Sequence, residues 1–289
     1  KFDAEATLAA IEQFHGTVLY VVPTMMKRIW RLPDDVRESF DLSSLRVVWH
    51  LAEPCPDWLK QVWIDWLGAE RIYELYAGTE NQASTVIRGD QWLEHRGSVG
   101  RVSSGEMAVF DADGAALPPG EVGEIYMRRT PGLAPSYRYV GAEPRTIGDG
   151  WESLGDMGWM DADGFLYLAD RKTDMILSGG ANIYPAEIEA ALNEHPAVLS
   201  AAVIGLPDDD LGNRVHAIVQ TDPDAIDDGT TDADDLRNHL GDRLVRYKVP
   251  RSFEFVTEPL RDEAGKVRRS QLRADRVTPT PTPSQEIQQ

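Results

Sequence analysis

LRVVWHLAEPCPDWLKQVWIDWLGAERIYELY, residues 45–76, is the stretch on which the fold turns. Residues 45–51, LRVVWHL, are a β-branched and aromatic run that suits a buried parallel strand. Residues 56–68, PDWLKQVWIDWLG, predict a helix closed by Gly68. RIYELY, 71–76, predicts the next strand. Working outward, TVLYVV at 17–22 is a further strand ended by Pro23, and a second helix is predicted over 24–31. Before it, Ala4, Leu8, Ile11 and Phe14 recur at helical spacing over 4–14. Strand, helix, strand, helix, strand is the pattern of an α/β, doubly wound parallel sheet.

Beyond residue 96 the texture changes. GEMAVFDADGAAL (105–117) and GWMDADGFLYLAD (158–170) each flank an Asp-Gly pair with apolar runs and read as hairpins, so residues 97–170 are expected to be mostly antiparallel β. The repeated DADG lacks the later ligands of a calcium loop and is read as turn chemistry. After Arg171 a small α+β domain is expected over 176–275. It has a helix in YPAEIEAALNEH with Pro185 in its first turn, strands in VLSAAVIGLP and NRVHAIVQT, a helix in DDLRNHLGDRLV and a strand in RSFEFVTEPL. The acidic run 221–235 reads as a solvated loop or, less economically, a calcium site. TPTPTPSQEIQQ, 278–289, has little to bury, and a disordered tail is expected over 276–289.

The net charge of −19 argues against a nucleic-acid or anionic-membrane surface. Two basic stretches, 243–251 and 266–273, are either a local pocket for a small anion or ordinary helix and strand flanks. No apolar run approaches the roughly 18–20 residues of a membrane helix. A lone cysteine, Cys55, excludes a disulfide framework and points to a reducing, cytoplasmic setting. Lys1 opens the chain inside an amphipathic helix, so the sequence reads as a piece of a longer chain.

YELYAGTE, 73–80, stands where a strand turns into a loop. It resembles the Tyr-Gly-x-Thr-Glu signature of the adenylate-forming (AMP-binding) superfamily, and further segments come in that family's order. They are GEVGEIYM (120–127), WESLGDMGWMDADGFLYLADRKTD (151–174), SGGANIYPAEIE (178–189), and YKVPRSFEFV leading to EAGKVRRSQLR. The collinear matches span nearly the whole chain, and SGGANIYPAEIE and YKVPR are most similar to stand-alone acyl-CoA synthetases, the acid–CoA ligases.

The resemblance implies a two-step reaction with ATP, Mg²⁺ and coenzyme A: a carboxylate attacks the α-phosphate, giving acyl-AMP and pyrophosphate, and a thiol then takes the acyl group. It implies a large AMP-binding portion over 1–170, a hinge at 171–175 with Thr173 at the pivot, and a mobile small domain. Lys266 matches the catalytic lysine between carboxylate and phosphate, although a surface Gly-Lys turn would carry the same residues. Glu80 would hold Mg²⁺ and Thr79 a phosphate oxygen. Tyr76 would stack on adenine, or else close the core as a strand aromatic. The backbone of Ala52, Glu53 and Pro54 would border adenine. Asp156 would accept from both ribose hydroxyls, and Arg171 would support ribose and phosphate. Ser178, Gly179 and Gly180 would line the pantetheine path.

The chain departs from the family pattern at several places. Ala77 replaces glycine, Leu154 replaces threonine, Glu53 stands where a small residue is common, and Thr173 replaces Asp or Lys. His50, Leu51, Ala77 and Gly78 are the acyl-pocket candidates, with His50 equally readable as a satisfied strand-end histidine. The acid is expected to be hydrophobic: fatty, aryl or steroid-like. A homodimer is allowed. The alternatives are delivery to a carrier-protein thiol and an inactive nucleotide-binding fragment. No segment matches the family's Ser/Thr/Gly-rich loop around the β- and γ-phosphates. The purified 289-residue chain is therefore expected to make no acyl-CoA from ATP, acid and coenzyme A. Robust product by mass spectrometry would contradict this.

Overall fold

A computed structural model describes residues 2–130, 132, 137–141, 143–221, 232–262 and 265–277. The 278–289 tail and most of the acidic run 221–235 lie outside them. The chain divides into two compact units: Lys1–Met175 together with Arg261–Lys266, and Ile176–Leu260 together with Val267–Gln289.

The first unit begins with the expected alternation. Helix α1 (Ala4–Phe14) is capped by Asp3, whose carboxylate accepts from the Ala6 amide at 2.9 Å. Strand β1 (Val18–Val21) leads into α2 (Pro23–Trp30), with Pro23 at its first position, where no amide partner is lost. After the short α3 (Asp34–Arg37) come β2 (Val47–His50), α4 (Asp57–Leu67) and β3 (Ile72–Ala77). The three strands pair in parallel, with Val48 opposite both Leu19 and Ile72. Leu8, Met26, Leu59, Trp63, Ile72 and Trp92 form the core between the helices and this sheet.

The parallel strands do not stop at an edge. β4 (Ser84–Arg88) runs antiparallel to β3 and leads into α5 (Gly89–Glu94), and neither stands out from the sequence. Strands β5 (Ser98–Ser104), β6 (Glu106–Phe110), β7 (Gly123–Arg128), β8 (Arg145–Ile147), β9 (Trp151–Met160) and β10 (Phe165–Arg171) continue the same sheet. Its order is β1-β2-β3-β4-β5-β10-β9-β7-β6, with β8 on β9. The β9–β10 hairpin forms as expected. Its Asp161 accepts from the Asp163 and Phe165 amides, the turn chemistry read from DADG. The expected 105–117 hairpin differs. The chain reverses at the Asp-Gly pair, with the Asp111 amide donating to the Ala115 carbonyl and the Leu117 amide to the Val109 carbonyl around a Phe110–Ala116 bridge, but the pairing stays short and β6 takes β7 as its long partner, because Gly123–Arg128 offers a longer apolar edge than the residues after the turn.

The second unit contains the two-stranded β11 (Ile176–Ser178) and β12 (Ala181–Ile183), then α6 (Pro185–Asn193). Next comes a three-stranded sheet, in which β13 (Val198–Asp208) is antiparallel to β14 (Gly212–Thr221) and β15 (Ser252–Val256) is parallel to β14. Helices α7 (Ala233–Gly241) and α8 (Arg269–Ala274) complete it. Ile188, Leu192, Val203, Leu236 and Leu240 form its core.

A charged contact lies in the core of the first unit. Lys60 of α4 donates to Glu74 of β3 at 2.5 Å, with both side chains buried. Removing one partner strands the other charge in an apolar setting, so Lys60→Met is expected to cost about 3–5 kcal/mol. The Lys60→Met/Glu74→Leu double variant should recover most of that loss, read from urea unfolding midpoints.

Candidate functional site

The loop after β3 leaves the sheet at the carboxyl end of a parallel strand. Gly78 begins it: a Cβ there would stand 2.4 Å from the Leu154 Cδ1 methyl, so a larger residue would require that side chain to shift. The loop turns back through the Asn81 amide, which donates to the Gly78 carbonyl at 3.0 Å.

Three residues proposed from two separate sequence segments meet beside this loop. The Tyr76 hydroxyl donates to Asp156 Oδ2 at 2.7 Å, and Arg171 Nε stands 3.3 Å from Asp156 Oδ1. Asp156 and Arg171 lie opposite one another on β9 and β10. Burial, then the charge and hydrogen bond of Asp156, push the Tyr76 phenol well above its ordinary pKa, with Arg171 opposing. Tyr76 therefore stays protonated at neutral pH and remains a donor to Asp156. The Arg171 side chain remains 64% exposed, so its charge is open to solvent.

Glu80 has its own partners. Tyr139 donates to Oε1 at 2.9 Å and Thr79 to Oε2 at 3.2 Å. Burial pushes this carboxyl up, but hydrogen bonds from its own backbone, Tyr139 and Thr79, with the Arg171 charge, outweigh it and hold the group below the ordinary range. Arg129 fixes the backbone here by donating to the Glu80 carbonyl at 2.6 Å and the Asn81 carbonyl at 3.1 Å. The sequence does not mark Tyr139 and Arg129, which lie 59 and 49 residues from Glu80 and carry no motif of their own. Glu80 is a hard, ionised oxygen donor and suits Mg²⁺ as a single ligand. No cluster of three or more metal-ligating side chains exists among the described residues.

The loop after β2 carries a side-chain contact that the sequence does not mark. Ala52 adopts a left-handed φ of 73°. The Glu53 carboxylate is buried against α2, where it accepts from the Thr24 amide at 3.0 Å and the Thr24 hydroxyl at 3.1 Å. Burial, then Arg31 and Arg261, lower the Lys27 ammonium to a pKa of about 7, with Glu53 opposing. His50 is neither a satisfied histidine nor open to a ligand. It is fully buried, and its Nδ1 stands 4.0 Å from Glu74 Oε1. Neither ring nitrogen has a hydrogen-bond partner among the described residues. The alternation of β2 aims it, like Val48, into the core.

Lys266 is exposed, and its amide donates to Asp262 Oδ1 at 2.9 Å. Thr173 is exposed on a turn closed by the Asp174 amide and the Arg171 carbonyl. Its neighbour Lys172 is tied to the buried Glu124 at 2.9 Å. Ser178, Gly179 and Gly180 belong to the second unit, where they turn β11 into β12.

A model of the AMP-binding enzyme family matches residues 1–138, and one for the AMP-binding enzyme C-terminal domain matches 187–266. The chain belongs to this family. Among its relatives, the indoleacetate–CoA ligase of Aromatoleum aromaticum is 34% identical over 94% of this chain and 52% of its own length. The 2-succinylbenzoate–CoA ligase of Bacillus licheniformis is 32% identical over 94% and 54%. A feruloyl-CoA synthase from Amycolatopsis is 34% identical over 94% and 54%. Among solved structures, the amide bond synthetase of Marinactinospora thermotolerans superposes with a TM-score of 0.81 at 30% identity, over 96% of this chain and 56% of that one. The anthranilate CoA ligase bound to anthranoyl-AMP gives 0.77 at 30%, over 95% and 52%. The chain thus spans about half the length of the family members it matches.

His50 supplies a pH test of the geometry. Burial, opposed by Glu74 and assisted by Lys60, lowers its pKa from 6.5 to about 4 in the folded chain. Between these values the unfolded chain binds a proton that the folded chain does not. Stability is therefore expected to fall by roughly 3 kcal/mol as pH drops from the upper value to the lower. His50→Gln should lack this component when urea midpoints are compared across the same pH range.

Proposed function

We propose that this chain forms the nucleotide-holding and acyl-transfer portion of an AMP-forming acid–CoA ligase. A carboxylate oxygen attacks the α-phosphate of ATP and pyrophosphate leaves. The thiolate of coenzyme A then attacks the acyl carbon, and AMP leaves. The observation that carries this reading is the Tyr76–Asp156–Arg171 cluster beside the carboxyl end of β3, where open α/β sheets bind ligands. Each Asp156 oxygen is oriented by one neighbour and keeps a further lone pair, which suits acceptance from the two ribose hydroxyls. The exposed Arg171 guanidinium supplies charge for ribose and phosphate. The tyrosine ring, held at its hydroxyl and packed on the apolar cluster around Ala83 and Leu166, would stack on adenine, with the backbone of Ala52 and Glu53 bordering the base.

In this reading Thr79 gives its hydroxyl to a phosphate oxygen, exchanging its present bond to Glu80. Glu80 would hold Mg²⁺ as one ligand, and the metal would supply charge to neutralise phosphate. Lys266 supplies the mobile positive charge between the carboxylate and the α-phosphate. Thr173 is the pivot of a 171–175 hinge joining the 1–170 and 176–275 portions, and Ser178, Gly179 and Gly180 line the thiol's path. The acid is an aromatic one. This draws on the indoleacetate, succinylbenzoate and feruloyl substrates named for the relatives and on the apolar or small Leu51, Ala77 and Gly78. No helix among the described residues is long and apolar enough to cross a membrane, and the lone cysteine suits a reducing cytoplasm.

A second reading is acyl transfer to an amine, favoured by the 0.81 TM-score with the amide bond synthetase. Calorimetry on the 289-residue chain tests what the two readings share. AMP and an aryl-acyl sulfamoyl-adenosine are both expected to bind, with the aryl mimic tighter than its palmitoyl counterpart. Asp156→Asn should weaken AMP by about tenfold or more, the cost of losing a charged hydrogen-bond acceptor. Failure of the wild-type chain to bind either compound would overturn the proposal.

A further inference from the structure

We propose that the Glu53 carboxylate is the seat that positions Lys266, by receiving the Gly265 backbone and pairing with Arg261. This rests on the ligase reading only in giving Lys266 a catalytic task; the seat itself is a matter of geometry.

Residues Arg261–Lys266 belong to the first compact unit, although the chain on both sides belongs to the second. Something in the first unit therefore holds them, and Glu53 has the right properties. Its carboxylate is fixed from one side by the Thr24 amide and hydroxyl at the start of α2. On the other side Arg261 Nη1 stands 3.9 Å from Glu53 Oε2, and the same nitrogen donates to the Gly265 carbonyl at 3.0 Å. The guanidinium thus links the carboxylate to the residue just before Lys266.

Gly265 is buried and presses directly on this carboxylate. A Cβ at Gly265 would stand 2.1 Å from Glu53 Oε1 and 2.3 Å from its carboxyl carbon. The residue also has a φ of 79°, which a glycine adopts freely. Three hydrogen bonds tie Gly265 and Lys266 to Asp262: the Gly265 amide donates to the Asp262 carbonyl at 3.0 Å, the Lys266 amide to Asp262 Oδ1 at 2.9 Å, and the Asp262 amide to the Lys266 carbonyl at 3.1 Å. Lys266 consequently leaves a fixed backbone with its side chain exposed. A small residue at position 53 would provide no charge for Arg261 and no surface for Gly265. Glu53, in the sequence only a departure from the family pattern, becomes a positioning residue.

The test is a double-mutant cycle on the 289-residue chain without nucleotide. Amide hydrogen exchange at residues 265 and 266 is read for wild type, Gly265→Ala, Glu53→Ala and the double variant. Gly265→Ala should accelerate exchange by on the order of tenfold or more through the clash and the positive φ. In the Glu53→Ala background the same methyl meets no carboxylate, so its added effect should shrink by several-fold. Glu53→Gln keeps an acceptor for Thr24 but loses the charge facing Arg261, and should raise both exchange at 266 and acylation of the Lys266 amine by a water-soluble ester. If Glu53→Ala fails to fold, Glu53→Gln carries the test. Strict additivity of the two substitutions, or unchanged exchange and labelling in Glu53→Gln, would overturn the seat. Because nucleotide is absent from these measurements, a failure here is separable from loss of AMP binding, which would instead sink the ligase reading.

Discussion

The buried pair between Lys60 and Glu74 is the contact on which the front of the first unit depends. It joins α4 to β3 at 2.5 Å beneath two parallel strands, with Glu74 lying opposite His50 in the register. Both strands end within a few residues of this contact, and each releases a loop that carries candidate nucleotide contacts. A charge pair in an apolar core gains little net stability, but any shift that separates its partners is costly. The pair therefore fixes where the carboxyl ends of β2 and β3 stand relative to α4, and with them Ala52, Glu53 and the residues after Tyr76. His50, held neutral beside the pair, adds no third charge to this core.

The second constraint is the continuity of the sheet. Because β4 carries the parallel strands into the antiparallel ones, β9 and β10 belong to the same sheet as β3. Asp156 and Arg171 are brought to Tyr76, Asp156 across an 80-residue separation. The same arrangement lets Arg129 and Tyr139 secure Glu80 from segments outside any recognisable motif. The site is thus assembled by strand order rather than by local sequence.

Much of this was legible from the chain alone. The helices at 4–14, 24–31 and 56–68 and the strands between them arise from periodicity, proline placement and Gly68, all local effects. The candidate residues were legible through motif resemblance, which named Tyr76, Glu80, Asp156 and Arg171 without saying how they meet. Short elements were not legible. The five residues of β4 and the six of α5 carry too little pattern to stand out. The 105–117 reversal forms at its tip but extends no further, because an Asp-Gly turn specifies a reversal and not which edge the strand will choose.

The sequence by itself determined the α/β alternation, the family, and the chemical types available at the site, because these are encoded in residue identity and short-range spacing. Only the tertiary structure decided the partners: Tyr76 with Asp156, Arg129 with Glu80, and Glu53 with Thr24, Arg261 and Gly265. The physical reason is range. Helix caps and turns are settled within a few residues, whereas the environment of a carboxylate depends on which distant segments are packed against it. Glu53 shows the difference most clearly. In the sequence it is an acidic residue in a loop, and burial against α2 makes it a fixed surface on which a distant glycine, Gly265, can rest.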